Sequence, residues 1–556
     1  MTTRKIALTT LAAVTSLALT LTMSPAADAS PRGASQAHRS APSHVQTASY
    51  IVQAQSLAAA RTSVQKVGGT ITHELGIIDG VGAALTLEQL EALRQIESLQ
   101  VQPDAVTRTQ GGTVPNQYAR QLLKVDTLAA QGINGTGVTV AILDTGIWYS
   151  RGEVKNDLNG TNKILAMYDA IANKVQNTPD KSGHGSHVAS IIGSPQATLN
   201  DQPLGIAPMA RLVAVKAFDL GGQGSYANVI RGLDWILANK ATYNIRVLNL
   251  SFGATPQSFY WNDPLAKAVM KLWQAGVVVV ASAGNWGPYA QSITVPGNVP
   301  YVITVGAMTD NYTPTNGADD RLASFSSTGP TYEGFVKPEI VAPGGHMPGK
   351  NDNGTMEIPK AHPQYATTND MTFVMSGTSQ SAAVVSGVVA LMLQAQPSLT
   401  PNQVKCKLMS SARPALDGAG KLAYTVFQQG AGQINAYDAV YNQNLNCANV
   451  GLDIAADLAG TTHFGGAARQ KADGTFYVVD QNGQEFGSQG YLWNNGYLWN
   501  QGYLWSNGYL WNNEYLWNNG YLWNNGYLWN NGYLWNASFV PSTTSFSGIN
   551  HWVGQE

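Results

Sequence analysis

Two histidines, His184 and His187, stand three positions apart in the stretch SGHGSHVAS and could act as ligands, bases or packing residues. A zinc site needs a third and usually a fourth ligand, and the common zinc-binding helix spaces its histidines by four with a glutamate between them. Here the spacing is three, with Gly and Ser between the histidines, so metal ligation is disfavoured. A general base and a buried packing residue remain as the interpretations of each imidazole.

Asp144, Asn285 and Ser379 carry three further side chains that could do chemistry. Asp144 directly follows an apolar run, VAIL, and functional side chains gather at the carboxyl ends of parallel strands. Asn285 follows the run VVVVASAG, and its amide could donate to a developing negative oxygen. Ser379 begins a long apolar helix, where free backbone N–H groups would suit a nucleophile whose attack creates an oxyanion. Each residue also has an ordinary interpretation as a cap or turn residue.

Alternating strands and helices must position these side chains. From VTVAILDTG, which begins at Val138, apolar runs such as RLVAVKAF, IRVLNLSFG and YVITVGAM alternate with helical patterns to about residue 445. This alternation predicts an α/β fold with a doubly wound, mainly parallel sheet. A smaller α/β unit precedes it, because YIVQAQ from Tyr50 is strand-like and LTLEQLEALRQI is typical of a helix.

Together these motifs resemble the subtilisin-like serine proteases, or subtilases. Asp144, His184 and Ser379 occur in the family's order, and Asn285 matches its oxyanion-hole asparagine. The resemblance implies that Ser379 is the nucleophile, His184 the general base and Asp144 the carboxylate that orients it, with His187 structural. The implied activity is that of a serine endopeptidase that needs no cofactor for its chemistry.

The resemblance runs from about residue 50 to 445 and departs from the family after the nucleophile. The family commonly reads G-T-S-M-A-x-P-H-V-A-G, whereas Gln380 and Ser381 follow Ser379 here, and Ala-Val replaces the Pro-His pair. These changes bear on the shape of the substrate pocket more than on catalysis. An inactive binding protein with the same fold is the competing hypothesis, and the four intact motif positions argue against it.

The resemblance also predicts how a polypeptide substrate binds. Its backbone would add as a strand between two glycine-bearing segments, which implies broad specificity for extended protein. The residues predicted to bind it are Gly222, Gln223, Gly224, Ser251, Phe252 and Gly253. The region from about 45 to 110 resembles the family's propeptide, whose tail VQPDAVTRTQ would lie in the active site before self-cleavage near Gln110–Gly111.

The N-terminus predicts export. Arg4 and Lys5 precede the apolar run IALTTLAAVTSLALTL, and small residues before Ser30 suit signal-peptide cleavage, with a membrane anchor as the weaker alternative. The mature enzyme is therefore expected to be secreted, either free or associated with the cell surface. The predicted organisation is a signal peptide (1–29), a linker and inhibitor- or chaperone-like propeptide (30–110), a subtilisin-like catalytic domain (111–450), a linker (451–489), hexapeptide repeats (490–536) and a C-terminal tail (537–556).

Charge and cysteine content limit the partners and ligands. A formal net charge of −2 gives no electrostatic reason to expect nucleic acid or an anionic membrane, so polypeptide substrates and the chain's own propeptide are the expected partners. No metal ligands are predicted. Structural calcium, which family members often bind, stays open, because TLNDQPLG around Asn200 only loosely resembles the family's calcium loop. Cys406 and Cys447 could form one disulfide or remain two thiols, since sequence does not give their separation.

A six-residue unit, GYLWNN, recurs eight times between residues 490 and 536 and contains eight of the 14 tryptophans. Asn-Gly favours tight hairpin turns, so the repeats predict a β-meander or, alternatively, a β-solenoid. Both arrangements leave aromatic surface to bury. Three roles are open: binding to the cell envelope, polysaccharide or insoluble protein; self-association; and a low-complexity spacer.

Overall fold

The structure is a computed structural model that describes residues 47–104, 106–109, 119–198, 202–311, 313, 319–366, 371–417, 421–479, 483–486 and 509–510. The predicted signal peptide, the predicted cleavage site near Gln110–Gly111, the C-terminal tail and nearly all of the repeats lie outside the described residues.

The first part of the chain forms a small α/β unit with an antiparallel sheet in the order β2-β3-β1-β4. Its elements are β1 (Ala48–Gln53), α1 (Leu57–Lys66), β2 (Thr70–Leu75), a 3₁₀ helix (Gly76–Ile78), β3 (Gly80–Leu85), α2 (Leu87–Arg94) and β4 (Gln100–Pro103). The helix α2 begins at a capping box, in which Thr86 and Gln89 satisfy each other's backbone N–H groups. An apolar cluster around Val52 and Leu93 is the core of this unit.

The larger part of the chain contains the predicted alternation of strands and helices. Its first half comprises β5 (Val106–Thr109), α3 (Ala119–Leu122), α4 (Val125–Ala129), β6 (Thr139–Asp144), α5 (Gly152–Lys155), β7 (Ile164–Asp169), β8 (Lys174–Val175), α6 (His184–Gly193), β9 (Arg211–Lys216), β10 (Gln223–Ser225), α7 (Tyr226–Asn239), β11 (Ile245–Leu250) and β12 (Phe252–Gly253). Its second half comprises α8 (Pro264–Gln274), β13 (Val278–Ser282), β14 (Ile303–Thr309), β15 (Arg321–Leu322), β16 (Ile340–Pro343), β17 (Met347–Lys350), α9 (Glu357–Ala361), a 3₁₀ helix (Pro363–Tyr365), β18 (Thr372–Met375), α10 (Thr378–Ala395), α11 (Pro401–Ser411), α12 (Val426–Gln429) and α13 (Ala436–Tyr441).

A nine-stranded sheet runs in the order β15-β14-β13-β11-β6-β9-β7-β8, with β16 also paired to β14. The central pairs are parallel, and the short strands β15 and β8 pair antiparallel at the ends of this order. Every residue of β6, β13 and β14 is buried. Because successive side chains of a strand point to opposite faces, both faces of the sheet are covered. The predicted α/β fold with a mainly parallel sheet is confirmed.

The helix α10 passes through the core beside this sheet. Its length and mean hydropathy of 1.3 would suit a membrane span, but 89% of it is buried inside the protein. Such burial is typical of the core helix of a globular domain.

The stretch after the main body forms α14 (Ile454–Leu458), β19 (Phe464–Gly465), β20 (Ala468–Gln470), β21 (Phe476–Val479) and β22 (Glu485–Phe486), and β23 (Tyr509–Leu510) follows in the repeats. The predicted linker at 451–489 is wrong over residues 451–479, because this stretch packs on the core. Asp457 is only 2% exposed and accepts hydrogen bonds from the hydroxyls of Tyr260 (2.6 Å) and Tyr301 (2.9 Å).

Cys406 and Cys447 are joined by a disulfide, with their Cα atoms 5.1 Å apart. Of the two alternatives that the sequence left open, the structure therefore has the bridge. It connects α11 to the segment after α13.

Candidate active site

Asp144 and His184 lie side by side at the carboxyl end of the sheet. Asp144 is the last residue of β6, and His184 is the first residue of α6. The Nδ1 atom of His184 lies 2.8 Å from Oδ1 and 3.0 Å from Oδ2 of Asp144, and both side chains are 1% exposed. The carboxylate therefore favours the proton on Nδ1, which leaves Nε2 as the basic nitrogen of the ring. Gly185 permits this close approach, because a Cβ there would clash with the carbonyl oxygen of Gly146.

A second buried carboxylate, Asp180, connects the segments that carry this pair. Its Oδ1 accepts hydrogen bonds from the Thr145 hydroxyl (2.9 Å) and from the backbone N–H groups of Ser182 (3.0 Å) and Gly183 (2.8 Å). Thr145 directly follows Asp144 and donates its backbone N–H to the carboxylate of Asp144 (2.7 Å). Asp180 therefore fixes the end of β6 relative to the loop that leads into α6.

The other oxygen of Asp180 holds the first turn of α6. Its Oδ2 accepts from both the backbone N–H (2.8 Å) and the hydroxyl (2.7 Å) of Ser186. The hydroxyl oxygen of Thr145 also accepts from the N–H of Gly185 (2.9 Å). Asp180 is not among the residues that the sequence motifs predict. The feature of the sequence that could have indicated Asp180 is a carboxylate four positions before His184, just ahead of the start of a helix.

Ser379 is the second residue of α10 and is fully buried. Its hydroxyl donates to the main-chain oxygen of Ser251 (2.9 Å), and the hydroxyl of Ser251 donates to the main-chain oxygen of Ser379 (2.9 Å). This reciprocal pair ties the start of α10 to the end of β11. Two residues from different parts of the predicted site are thus in direct contact.

His187 and Gln380 connect α6 with α10. The Nε2 of His187 lies 3.1 Å from the carbonyl oxygen of Met347 and 3.0 Å from that of Phe373, and its Nδ1 lies 3.4 Å from Nε2 of Gln380. Burial lowers the pKa of His187 to about 3, so the ring is neutral and packs between its neighbours. Gln380 directly follows Ser379, so this sequence departure links the helix of the hydroxyl to the helix of the imidazole.

Asn285 faces the first turn of α10 from the loop after β13. Its Oδ1 accepts from the backbone N–H (3.0 Å) and the hydroxyl (2.8 Å) of Thr378. Its Nδ2 is buried and has no hydrogen-bond partner within the described part of the chain. A buried donor without an acceptor costs about 1–3 kcal/mol of folding stability, so this N–H₂ group is suited to donate a hydrogen bond to an oxygen of a bound group.

The strand β5 lies between β10 and β12 and pairs antiparallel with both. In the register, Arg108 of β5 stands opposite both Gln223 and Gly253. The residues that were predicted to bind substrate and that pair with β5 are Gln223, Gly224, Phe252 and Gly253.

The two other residues predicted to bind substrate lie beside this three-stranded sheet. Gly222 lies in the turn before β10, where its N–H donates to the carbonyl oxygen of Asp219 (3.1 Å). Ser251 precedes β12 and makes the contact with Ser379 described above. Ser225, which the motifs did not predict, completes β10 and stands opposite Val106.

The small α/β unit contacts α7 through polar groups. Asp104 accepts from the N–H of Ala227 at the start of the helix (2.8 Å), and Nε2 of His73 lies 2.8 Å from Oδ1 of Asn228. Burial lowers the pKa of His73 and raises the pKa values of Asp104 and Asp234. The contact therefore contains groups whose charge changes with pH.

Within the described residues, no group of three or more histidine, cysteine, aspartate or glutamate side chains could hold a metal ion. The stretch that loosely resembles a calcium loop contains residues 199–201, which lie outside the described part.

Comparison with known proteins identifies the family. Residues 135–434 match the subtilase family, Peptidase S8. Serine protease AprX from Bacillus subtilis (strain 168) is 36% identical over 323 residues, which cover 56% of this chain and 68% of AprX. Subtilisin E from the same organism is 31% identical over 366 residues, which cover 65% of this chain and 82% of that protein.

The fold is also similar to the crystal structure of fervidolysin from Fervidobacterium pennivorans, described as a keratinolytic enzyme related to subtilisin. The TM-score is 0.57 at 21% sequence identity, over 81% of this chain and 70% of that one. The family match covers more than half of the chain, and subtilases need no cofactor for catalysis. The chain belongs to the subtilase family and is a serine-type endopeptidase.

Proposed function

We propose that this endopeptidase is secreted, is made as a self-processing precursor, and cleaves peptide bonds through Ser379, His184 and Asp144, with Asn285 in the oxyanion hole. The observation that supports this most directly is the buried pair of His184 Nδ1 and the Asp144 carboxylate, 2.8 Å apart. The second support is the unpartnered Nδ2 of Asn285 beside the first turn of the helix that carries Ser379.

In the proposed mechanism, the Ser379 hydroxyl turns from the carbonyl of Ser251 toward Nε2 of His184. His184 takes the proton as the oxygen attacks the peptide carbonyl, and Asp144 stabilises the resulting imidazolium. His184 then gives the proton to the leaving amine as the C–N bond breaks, which leaves the acyl group as an ester on Ser379. A water molecule gives a proton to His184 and attacks this ester, and Ser379 recovers the proton as the acid product leaves. The serine hydroxyl is a weak nucleophile at neutral pH, so the base is essential.

The negative oxygen of the tetrahedral intermediate would lie between Nδ2 of Asn285 and the backbone N–H of Ser379. The first N–H groups of a helix have no partner within the helix, and the helix dipole favours negative charge at this end. Thr378 holds Oδ1 of Asn285 through two hydrogen bonds, and the amide nitrogen, which has no partner within the described residues, would donate to the negative oxygen. The donors are thus oriented before the charge develops, and such preorganisation lowers the barrier.

The small α/β unit and β5 are proposed to form the propeptide. β5 occupies the cleft between β10 and β12 as an added strand, which is how a substrate backbone would bind. The unit would therefore inhibit the enzyme until cleavage near Gln110–Gly111 separates it. Since the pairing uses main-chain atoms, we expect broad specificity for extended polypeptides.

Export rests on the N-terminal sequence, and the repeats are proposed to act outside the cell. Binding to the cell envelope, binding to polysaccharide and self-association are the candidate roles of the repeats. They are distinguished by deleting residues 490–536 and measuring binding to envelopes and to polysaccharide, and sedimentation. Unchanged behaviour in all of these assays would leave the repeats as a spacer.

Self-processing is tested with Ser379→Ala and a matched control, Ser381→Ala. Ser381 is a buried serine of the same helix, and its hydroxyl donates to the carbonyl of Ala342 (3.1 Å). N-terminal sequencing of the secreted wild type and control should give a start near Gly111, whereas Ser379→Ala should retain the propeptide. If Ser379→Ala is trimmed to the same start without added protease, self-processing is refuted.

A further inference from the structure

A row of aromatic rings on the surface of the core joins residues inside the family match to the segment that follows it. Trp261 stacks on Phe259, with ring centroids 4.4 Å apart and an interplanar angle of 10°. It also stacks on His463, with 5.0 Å between centroids and an angle of 11°. The three rings, Phe259, Trp261 and His463, form one stack that we call the aromatic row. The proposed catalytic mechanism does not use it.

Buried polar contacts hold the end of the aromatic row in place. The Nδ1 of His463 lies 2.8 Å from Oδ1 of Asp457, whose Oδ2 accepts the hydrogen bonds of Tyr260 and Tyr301. The Tyr260 hydroxyl also lies 3.3 Å from both the N and the O of Phe464. The last ring of the row and the strand β19 that follows it are therefore fixed to the core by the same groups. A surface fixed in this way loses little conformational freedom when it binds another segment.

The partner of β19 comes from the hexapeptide repeats. β19 pairs antiparallel with β23, with Phe464 opposite Leu510 and Gly465 opposite Tyr509. Tyr509 and Leu510 belong to the fourth repeat, residues 508–513. The edge of β19, next to the aromatic row, thus accepts a strand whose sequence recurs along the array.

We propose that β19 and the aromatic row form a docking site for one GYLWNN repeat of the same chain. Strand pairing provides main-chain hydrogen bonds, and neighbouring rings provide a surface on which aromatic side chains stack favourably. The repeat YLWNNG carries no charge, so its burial does not require an ion pair. Docking of one repeat anchors the array to the catalytic body and leaves the other copies for other contacts.

Hydrogen exchange on the full-length Ser379→Ala chain tests the proposal, because this variant cannot digest itself. Within residues 463–466 the informative amide is that of Gly465, because the amide of Phe464 donates to the Tyr260 hydroxyl and that of Gly466 to the carbonyl oxygen of Glu333. The Gly465 amide should exchange slowly, and deletion of residues 490–536 should speed its exchange by roughly tenfold or more, since loss of the paired strand opens this edge. Trp261→Ala should have the same effect, and Tyr289→Ala is the control, since Tyr289 is 76% exposed and lies outside the row. Unchanged exchange in β6 and β13 would verify that each variant is folded.

A peptide with the sequence GYLWNNGYLWNNG, added to the deletion variant, should restore the slow exchange of the Gly465 amide, and a scrambled peptide should not. Equal exchange with and without the repeats would overturn the proposal, as would a Trp261→Ala chain that behaves like its parent. Protection that rises with protein concentration, together with dimers in sedimentation, would show docking onto a second copy and would overturn the same-chain assignment.

Discussion

Replacing Asp180 with asparagine should lower kcat and leave KM nearly unchanged, because Asp180 positions the Asp144–His184 pair and does not contact the strands proposed to bind substrate. The carboxylate of Asp180 accepts five hydrogen bonds, three on Oδ1 and two on Oδ2. An asparagine can keep the three bonds to its oxygen, but its N–H₂ group would then face the N–H and hydroxyl of Ser186. The hydroxyl can turn to accept a hydrogen bond, whereas the backbone N–H cannot.

The cost of this change follows from the groups involved. One buried N–H without an acceptor costs about 1–3 kcal/mol, and hydrogen bonds to a charged acceptor are worth about 1.5–3 kcal/mol against about 1 kcal/mol for neutral ones. If about 1.4–2.7 kcal/mol of the total affects the alignment of His184, kcat should fall by about 10- to 100-fold. KM should change less than about threefold, because within the described residues Asp180 hydrogen-bonds to Thr145 after β6 and to the loop and first turn of α6, and not to β10 or β12.

The assay is steady-state hydrolysis of a peptide substrate by the processed enzyme, with active sites titrated by a serine-directed inhibitor so that only folded enzyme is counted. Asp157→Asn is the matched control, since Asp157 also accepts backbone N–H bonds, from Asn159 (2.9 Å) and Thr161 (3.0 Å), in a turn away from the site. The reasoning is refuted if Asp180→Asn lowers only the melting temperature while kcat per titrated site stays at the wild-type value.

Three further predictions concern the oxyanion hole, the disulfide and the propeptide contact. Asn285→Ala should lower kcat by about 10²–10³-fold, the range measured on subtilisin itself, with little change in KM; steady-state kinetics would show it. Replacing both Cys406 and Cys447 by alanine should lower the free energy of unfolding by about 4 kcal/mol, given a sequence separation of 41, as measured by denaturant titration of an inactive variant. Burial lowers the pKa of His73 below 6.5 in the contact with α7, so the free unit binds protons more readily than the bound one. The affinity of the cleaved propeptide should therefore be constant above pH 6.5 and fall as the pH drops below it, and His73→Gln should flatten this dependence in inhibition assays. The interface carboxylates Asp104 and Asp234, whose pKa values burial raises, act in the opposite direction as the pH falls through those raised values.

The sequence motifs predicted where several of the proposed site residues lie in the local structure. Asp144 ends a buried strand, Asn285 follows one, and Ser379 lies in the first turn of a helix, as the motifs indicated. The helix that the apolar residues from His187 indicated begins at His184. Asp180 could not be recognised in the same way, because its importance lies in five donors that converge only after the loop folds.

Long-range contacts account for the other differences between sequence and structure. In sequence, residues 451–479 have the pattern of a polar linker. In the structure they pack on the core, where Asp457 accepts hydrogen bonds from Tyr260 and Tyr301, which lie 197 and 156 positions earlier in the chain. The bridge between Cys406 and Cys447 likewise depends on a separation that only the packing of α11 determines. Local pattern therefore predicts elements and motif residues, while partners that meet across the fold require coordinates.

In the proposed precursor, main-chain pairing has two opposite purposes, and the side chains around each strand distinguish them. β5 would have to leave its position between β10 and β12 before the enzyme could act, and the strands with which it pairs, Gln223–Ser225 and Phe252–Gly253, are short. The unit attached to it contacts α7 through His73, whose lowered pKa means that acidification weakens this contact without altering the pairing of β5. At β19 the paired strand lies beside stacked rings fixed by a buried carboxylate, an arrangement suited to permanent attachment. Acid release of the propeptide should therefore leave the protection of the Gly465 amide unchanged, and a parallel loss of both would mean that the two contacts form one cooperative unit.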